Sequence, residues 1–138
     1  MSNGLFFEDL SVGQTASLAK TITEADILLY AAVSMDTNPM HLDAEFAGKA
    51  QFGERIAHGM LAAGLISAVL GTRLPGPGAI YMRQSLRFAA PVKIGQTVKA
   101  TVESTTAPIV LSHSHLQSES KPHPRLITVE HARLVVST

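Results

Sequence analysis

The sequence contains no cysteine and no tryptophan among its 138 residues, and only 16% of its residues are charged. The absence of cysteine excludes disulfide bonds, a thiol nucleophile and thiolate metal ligands. Lys plus Arg and Asp plus Glu both total 11, so no net charge attracts nucleic acid or an anionic membrane. We therefore expect neither of those partners.

The length and the apolar content predict one domain over residues 1–138. Hydrophobic residues make up 46% of the chain, which favours an apolar interior and a further apolar surface buried by a partner. The longest weakly polar run, residues 59–71, is well short of the roughly 20 residues needed to cross a bilayer. The first residues lack the basic start and sustained apolar stretch of a secretory signal, so we expect a cytoplasmic location.

The first half of the chain carries helix signals. "TITEADILLYAAVS" begins with Thr23 as a helix cap and Asp26 three positions later, a capping-box-like start for a helix over about residues 24–34. Asp43 can cap a short second helix over residues 44–50. The segment "HGMLAAGLISAVLG" has no polar stripe, which is typical of a buried helix, and "RLPGPGA" ends it.

From residue 79 onward the sequence changes to strand signals. They fall in "AIYMRQSLRFAA", "QTVKATVESTT", "IVLSHSHLQSES" and "RLITVEHARLVVS", and we expect four consecutive antiparallel strands. "SVGQTA" at residues 11–16 echoes "KIGQTV" at 93–98, which we interpret as one turn-into-strand motif used twice rather than an internal repeat. A curved antiparallel sheet around the apolar helix is the expected α+β architecture.

The polar segment "SMDTNPMHLD", residues 34–43, is the first candidate site. Pro39 restricts its own backbone and that of Asn38, so no regular helix is expected there. Asp36 and His41 can converge on one water as an acid–base pair, with Asn38 bracing the turn. Alternatively, Asp36 caps the turn and His41 bonds locally, because Asx-Pro turns are common. Residue types alone leave both interpretations open.

The start of the apolar helix is the second candidate site. Gly59 lies in the first turn, where backbone N–H groups lack helical partners and can bind an anion or a polarised carbonyl. The alternative is that glycine is needed there for tight packing. Ser67, the hydroxyl inside this helix, can bond the carbonyl four residues earlier or reach a catalytic carboxylate. His58 is interpreted as structural.

A metal site is weakly indicated. His113 and His115 lie two apart on an expected strand and share a face, but no third ligand of suitable spacing accompanies them. No glycine-rich phosphate loop, nucleophile elbow or zinc-protease helix motif is present. We expect no metal.

Taken together, the residues resemble the MaoC-like, (R)-specific enoyl-CoA hydratases. Their signature reads Ser/Thr-Gly-Asp-x-Asn-Pro-aliphatic-His, five residues, then Ala, and "SMDTNPMHLDAEFA" keeps its Asp, Asn-Pro, His and Ala in register. "AHGMLAAGLIS" and "IYMRQSLRFAAPVKIGQTV" are also similar to the family. One departure is Met35, where the family usually has glycine, and we expect its side chain to affect the length of substrate accepted.

The resemblance implies a hot-dog fold, in which a curved antiparallel sheet wraps a long central helix, paired into a homodimer. It implies hydration of trans-2-enoyl-CoA to (R)-3-hydroxyacyl-CoA without a cofactor. Asp36 and His41 would activate the water, the Gly59 N–H would polarise the thioester carbonyl, and Ser67 would support the pair.

Three other functions stay open at this stage. A 3-hydroxyacyl-ACP dehydratase would share the chemistry on a different carrier. A hot-dog acyl-CoA thioesterase often has a carboxylate on the central helix, and residues 59–71 contain none. A non-catalytic acyl-binding module would have little use for Asp36 and His41. Arg55, Arg83 and Arg87 are candidate contacts for the CoA phosphates, which the sequence does not otherwise locate.

Overall fold

The computed structural model of the protein describes residues 4–104, 125–128 and 132–137. After a 3-10 turn at Phe7–Asp9, these described residues form four helices and five strands. The helices are α1 (Glu24–Ser34), α2 (Pro39–Leu42), α3 (Ala44–Lys49) and α4 (Gly59–Thr72). The strands are β1 (Thr15–Thr21), β2 (Ala79–Arg83), β3 (Thr97–Glu103), β4 (Arg125–Thr128) and β5 (Ala132–Ser137). Within the described ranges, no helix is long and apolar enough to cross a membrane.

The strands do not pair in chain order. Strand β3 lies between β1 and β5 in an antiparallel sheet, whereas β2 pairs with β4 in parallel. The prediction of four consecutive antiparallel strands is therefore wrong: β1, which precedes all the helices, occupies one edge of β3. Residues 84–90 are not a strand, and the strand expected at 109–120 lies outside the described residues.

The repeated Gly-Gln-Thr motif forms the same turn twice. Gly13 and Gly95 both have positive φ, 84° and 89°, a conformation that glycine adopts without steric cost. In each turn the glutamine side chain accepts a hydrogen bond from the backbone N–H three residues earlier, at 3.2 Å for Gln14 and 2.9 Å for Gln96. The turns lead into β1 and β3, which confirms the interpretation of a turn used twice.

Helix α4 is the centre of the core and packs against β1, β2, β3 and β5. Its buried residues are Ala62, Ala63, Ile66, Val69 and Leu70. The expectation of a helix buried all round is wrong for the single chain, because Met60, Gly64, Ser67 and Gly71 form an exposed stripe. These positions recur at helical spacing, so one face of α4 points away from the sheet. Apolar composition could not reveal this face, since small residues suit both a buried and an exposed position.

Helix α1 begins and ends with defined backbone geometry. The Thr23 side chain accepts from the Asp26 N–H at 3.3 Å, and the Asp26 carboxylate accepts from the Thr23 N–H at 2.8 Å. This confirms the predicted capping box, and the backbone hydrogen bond from Thr23 lowers the pKa of Asp26. The helix ends at Ser34, and the next residue, Met35, has a φ of 60° that places it in the left-handed region. Only Met35 among the described non-glycine residues has a positive φ.

Replacing Met35 by glycine is expected to stabilise the fold. Side chains disfavour the left-handed conformation, and glycine is the usual residue after a helix C-terminus, so the free energy of unfolding should rise by about 1 kcal/mol. The Met35 side chain is 84% exposed, so little packing is lost. Urea denaturation measures the change. The matched control is Val33→Gly inside α1, which should destabilise; a shift of the same sign in both variants would contradict the explanation.

Candidate active site

Two side chains of the polar segment accept hydrogen bonds that fix its backbone. The Asn38 side chain accepts from the Met40 N–H at 3.1 Å, and Asp36 Oδ1 accepts from the Asn38 N–H at 3.2 Å. The expectation that no regular helix forms here is wrong from Pro39 onward, because α2 begins at that residue. Proline is tolerated in the first helical position, where its missing N–H would have no partner. Asn38 therefore braces the turn as predicted.

His41, on α2, is largely buried and has a defined tautomer. Its Nδ1 lies 2.8 Å from the backbone oxygen of Ile56. A carbonyl oxygen can only accept, so Nδ1 carries the hydrogen and Nε2 of the neutral ring presents a lone pair. His41 therefore offers a hydrogen-bond acceptor to a water or a substrate at its free nitrogen.

The segment that carries Ile56 is itself anchored. Ile56 forms an antiparallel bridge with Lys93, and its N–H donates to the Met40 oxygen at 3.4 Å. The neighbouring Arg55 donates to Glu24 on α1 at 2.7 Å, and this hydrogen bond lowers the pKa of Glu24. The guanidinium is thus engaged within the fold, which weakens its candidacy as a contact for the CoA phosphates.

Asp36 is exposed, and the structure brings its carboxylate to the two histidines. One ligand atom each of Asp36, His41 and His58 lies within 4.8 Å of the others. Asp36 and His41, predicted as a pair, are therefore close enough to share one water. Of the alternative interpretation, only the Asp36 part is realised: Asp36 Oδ1 accepts from the Asn38 N–H in the turn, whereas His41 bonds to Ile56, 15 residues away, and not locally.

His58 is the site residue whose contacts the sequence did not predict. It is 2% exposed, and its Nε2 donates to the backbone oxygen of Asp36 at 2.9 Å. Its ring stacks on that of His41, with ring centroids 3.8 Å apart. The centroid of the Tyr30 ring lies 4.9 Å from that of the His58 ring. The only signal was its place beside Gly59, and a contact over 22 positions to Asp36 cannot be read from local spacing.

The N-terminus of α4 presents two backbone donors. His58 is the N-cap residue and makes no side-chain capping hydrogen bond. Its backbone oxygen accepts from Leu61 and Ala62, whereas the N–H groups of Gly59 and Met60 make no hydrogen bond within residues 4–104. Two donors at the positive end of the helix are therefore available to a polarised oxygen.

Gly59 also lies against the Phe88 ring. A Cβ atom at residue 59 would lie 3.0–3.1 Å from three ring carbons of Phe88. Such contacts are tighter than ordinary van der Waals packing, so a side chain here would displace the ring. The packing explanation for this glycine is thus supported, and it is compatible with a role for the N–H.

Replacing Gly59 by alanine is expected to lower kcat/KM for trans-2-enoyl-CoA hydration, the reaction that the family resemblance implies, by a factor of about 10. The reason is that the added methyl group pushes on Phe88 and shifts the first turn of α4. The N–H itself is retained. Phe88→Leu in the same chain should restore most of the loss, since Phe88 is 55% exposed and a smaller side chain makes room. Steady-state kinetics of the single and double variants test this. An unchanged loss in the double variant would mean that the methyl group obstructs the substrate instead.

Ser67 is not joined to the other predicted site residues. It lies on the exposed stripe of α4, eight residues after Gly59 and so about 12 Å further along the helix axis. Within residues 4–104 its hydroxyl makes no hydrogen bond, either to the carbonyl four residues earlier or to a carboxylate. Its supporting role stays a prediction.

One group of side chains has donors suited to a metal ion. Asp36, His41 and His58 together offer a carboxylate and two imidazoles. However, the Nε2 of His58 and the Nδ1 of His41 are already bonded to backbone oxygens. The histidine pair at 113 and 115 lies outside the described residues. The expectation of a metal-free protein stays a prediction.

Three comparisons relate this geometry to known proteins. The family described as "MaoC like domain" matches residues 10–118. The chain is 66% identical over 100 residues to an (R)-specific enoyl-CoA hydratase of Rhodospirillum rubrum, covering 72% of this chain and 69% of that protein. It is 57% identical over 99 residues to a 3-hydroxybutyryl-CoA dehydratase of Methylorubrum extorquens, covering 72% of this chain and 63% of that protein.

A solved structure is also similar. The unliganded R-hydratase PhaJ1 from Pseudomonas aeruginosa matches with a TM-score of 0.71 and 51% identity. The match covers 75% of this chain and 66% of that one. The similarity extends over most of the described chain and includes its overall architecture.

Proposed function

Because the chain belongs to the MaoC-like domain family and has the α+β hot-dog fold, we propose that it adds water reversibly to trans-2-enoyl-CoA, giving (R)-3-hydroxyacyl-CoA. The observation that carries this proposal is the approach of the Asp36 carboxylate to His41, whose Nε2 presents a lone pair. The reaction needs acid–base groups and a stabilised enolate, and the proposed roles require no cofactor.

The two side chains can bind one water as its hydrogen-bond acceptors. The water would donate one hydrogen to the Asp36 carboxylate and the other to His41 Nε2. One of these bases removes a proton as the water oxygen forms a bond to C3 of the substrate, and the C2–C3 double-bond electrons move towards the thioester carbonyl. The same pair then returns a proton to C2 on the same face. We assign this first proton transfer to Asp36, while His41 orients the water through its Nε2 lone pair and helps to return the proton to C2.

The enolate oxygen formed in this step requires hydrogen-bond donors. The N–H of Gly59 lies at the positive end of α4 and has no partner within residues 4–104. Preorganised backbone donors of this kind typically contribute a factor of about 100 to 1,000 in kcat. We assign the Gly59 N–H to the thioester oxygen, with Asn38 and Ser67 in supporting roles.

Two features favour this reaction over its rivals. Both curated relatives described above are named for acyl-CoA hydration or dehydration, which supports CoA rather than a carrier protein as the thiol. Helix α4 carries no carboxylate on any of its residues, which argues against the thioesterase alternative. An acyl-binding module would not need a free base at His41.

The test is to follow crotonyl-CoA by the loss of its conjugated thioester absorbance. We expect turnover in the absence of added metal or nucleotide, and (R)-3-hydroxybutyryl-CoA as the product on chiral analysis. Crotonyl-ACP in a parallel assay measures the carrier preference. Release of free thiol without hydration would support a thioesterase, and binding without turnover would support the acyl-binding module. Either result would overturn the proposal.

We also propose that the protein is a homodimer. Large apolar side chains are exposed on and near β2 and the start of α4, and an isolated chain rarely leaves such a surface uncovered. They are Met60, Ile80, Met82, Leu86 and Phe88. A single domain over residues 1–138 and a cytoplasmic location stay predictions.

Replacing Met82 by aspartate should weaken the dimer. The side chain is 57% exposed in the single chain, so a charge there costs the monomer little but would be buried without a partner in a dimer. We expect the dimer Kd to rise by a factor of about 100 or more, measured by sedimentation or light scattering. Val12→Asp, at an exposed apolar position in the turn before β1, is the matched control. An equal rise in the dimer Kd for Met82→Asp and Val12→Asp would show that the interface lies elsewhere.

A further inference from the structure

We propose that His58 is a positioning residue for hydration: it fixes Asp36 through the peptide backbone and His41 through ring stacking. This inference rests on the proposed function. His58 itself is buried and does not need to contact the substrate. Its links join the Asp36 backbone, His41 on α2 and the N-terminus of α4, which together form the site.

The first contact holds the backbone of Asp36. The Nε2–H of His58 donates to the Asp36 oxygen at 2.9 Å. Asp36 directly follows Met35, which has the left-handed φ of 60°, so the chain reverses direction just before the proposed base. The hydrogen bond from a buried ring fixes where that reversal leaves the carboxylate.

The second contact orients the ring of His41. The His58 and His41 rings have centroids 3.8 Å apart and planes tilted by 35°, and Tyr30 packs on His58 at 4.9 Å. The bond from His41 Nδ1 to Ile56 fixes one point of its ring, and the stack fixes the plane. Together they determine the direction of the Nε2 lone pair.

The third link is covalent, because His58 precedes Gly59. A capping residue such as Ser or Asp at this position would bond the free N–H groups of the first turn. The His58 side chain is instead directed to Asp36 and makes no cap. It therefore leaves the N–H groups of the first turn of α4 open to a substrate oxygen. It also links the position of these N–H groups to that of the Asp36 carboxylate. Its buried Nδ1 has no hydrogen-bond partner among the residues that the structure describes, which is consistent with a ring whose proton lies on Nε2.

Two substitutions separate the contacts. His58→Phe keeps a stacking ring and removes the donor, whereas His58→Gln keeps a donor and removes the ring. We expect each to lower kcat for crotonyl-CoA, His58→Phe by a factor of about 30 and His58→Gln by about 10, since displacements near 1 Å cost up to a factor of about 100. KM should change by less than about a factor of 3, because the groups that bind the thioester remain.

The outcomes are distinguishable. A loss of kcat at nearly constant KM, in variants whose circular dichroism and melting temperature match the folded protein, supports positioning. The inference is overturned if both variants keep kcat within about a factor of 2. It is also overturned if the fractional loss of kcat equals the fraction of the variant protein that is unfolded. If the unsubstituted protein does not hydrate crotonyl-CoA, the proposed function fails instead.

A measurement on the unsubstituted protein tests the inference even if the variants do not fold. In imidazole ¹⁵N–¹H correlation spectra, His58 should be protonated at Nε2 and His41 at Nδ1, each as a single tautomer. In His58→Gln, if folded, the His41 resonances should shift or broaden. Rapid tautomer exchange at His58, or protonation at its Nδ1 alone, would overturn the inference whatever the activity.

Discussion

Asp36→Asn is expected to lower kcat for crotonyl-CoA hydration by a factor of at least about 100, because a positioned acid–base group contributes about 100 to 10,000. The amide is nearly the same shape as the carboxylate. It can keep the bond that Asp36 Oδ1 accepts from the Asn38 N–H, so the turn should persist. What is lost is the charge that binds and deprotonates water.

Asp43→Asn is the matched control for this substitution. Asp43 is an exposed aspartate that caps α3, where its Oδ1 accepts from the N–H groups of Glu45 and Phe46. Asparagine is an equally good helix cap, so kcat should stay within about a factor of 2. Full activity in Asp36→Asn would remove this carboxylate from the mechanism. An equal loss in both variants would indicate a structural effect instead.

His41→Asn is the second large expected effect. The asparagine amide can donate to the Ile56 oxygen as Nδ1 does now, so the local backbone should be preserved. Nothing replaces the Nε2 lone pair, so kcat should again fall by a factor of at least about 100. The melting temperature is the control for folding.

His41→Gln complements this variant. Glutamine extends further than asparagine and can place an amide oxygen near the position of Nε2, where it can orient water but not take a proton. Its kcat should therefore also be low. In the double variant with Asp36→Asn, the loss should be much smaller than the product of the single losses, because residues that act on one water act as a unit. Activity in His41→Asn close to the original would show that only the Ile56 contact matters.

Local patterns predicted the parts of this fold that depend on neighbours in the chain. The capping box of α1 places Thr23 and Asp26 three residues apart, and each Gly-Gln-Thr turn closes over three residues. Such contacts are available from the sequence because their partners are fixed by spacing. The one-turn helix α2 was missed because proline was interpreted as excluding a helix rather than beginning one.

The strand order needed the tertiary structure. Strand signals indicate which residues are extended, but not which extended segment is adjacent. Strand β1 is separated from β3 by all four helices and β2, and it nevertheless pairs with β3 along its whole length. The exposed stripe of α4 was hidden for a similar reason, since an apolar helix shows no polar face that marks solvent.

By itself, the sequence indicated Asp36 and His41 as the candidate acid–base pair, the glycine at the start of α4 and the family to which the chain belongs, because these follow from residue types at short fixed spacing. Only the tertiary structure decided how these residues are arranged. The His41 tautomer is set by the Ile56 oxygen, and the Asp36 backbone is held by His58. The room for a side chain at residue 59 is limited by the Phe88 ring. Each of these partners is distant in the chain, and packing alone brings it into contact.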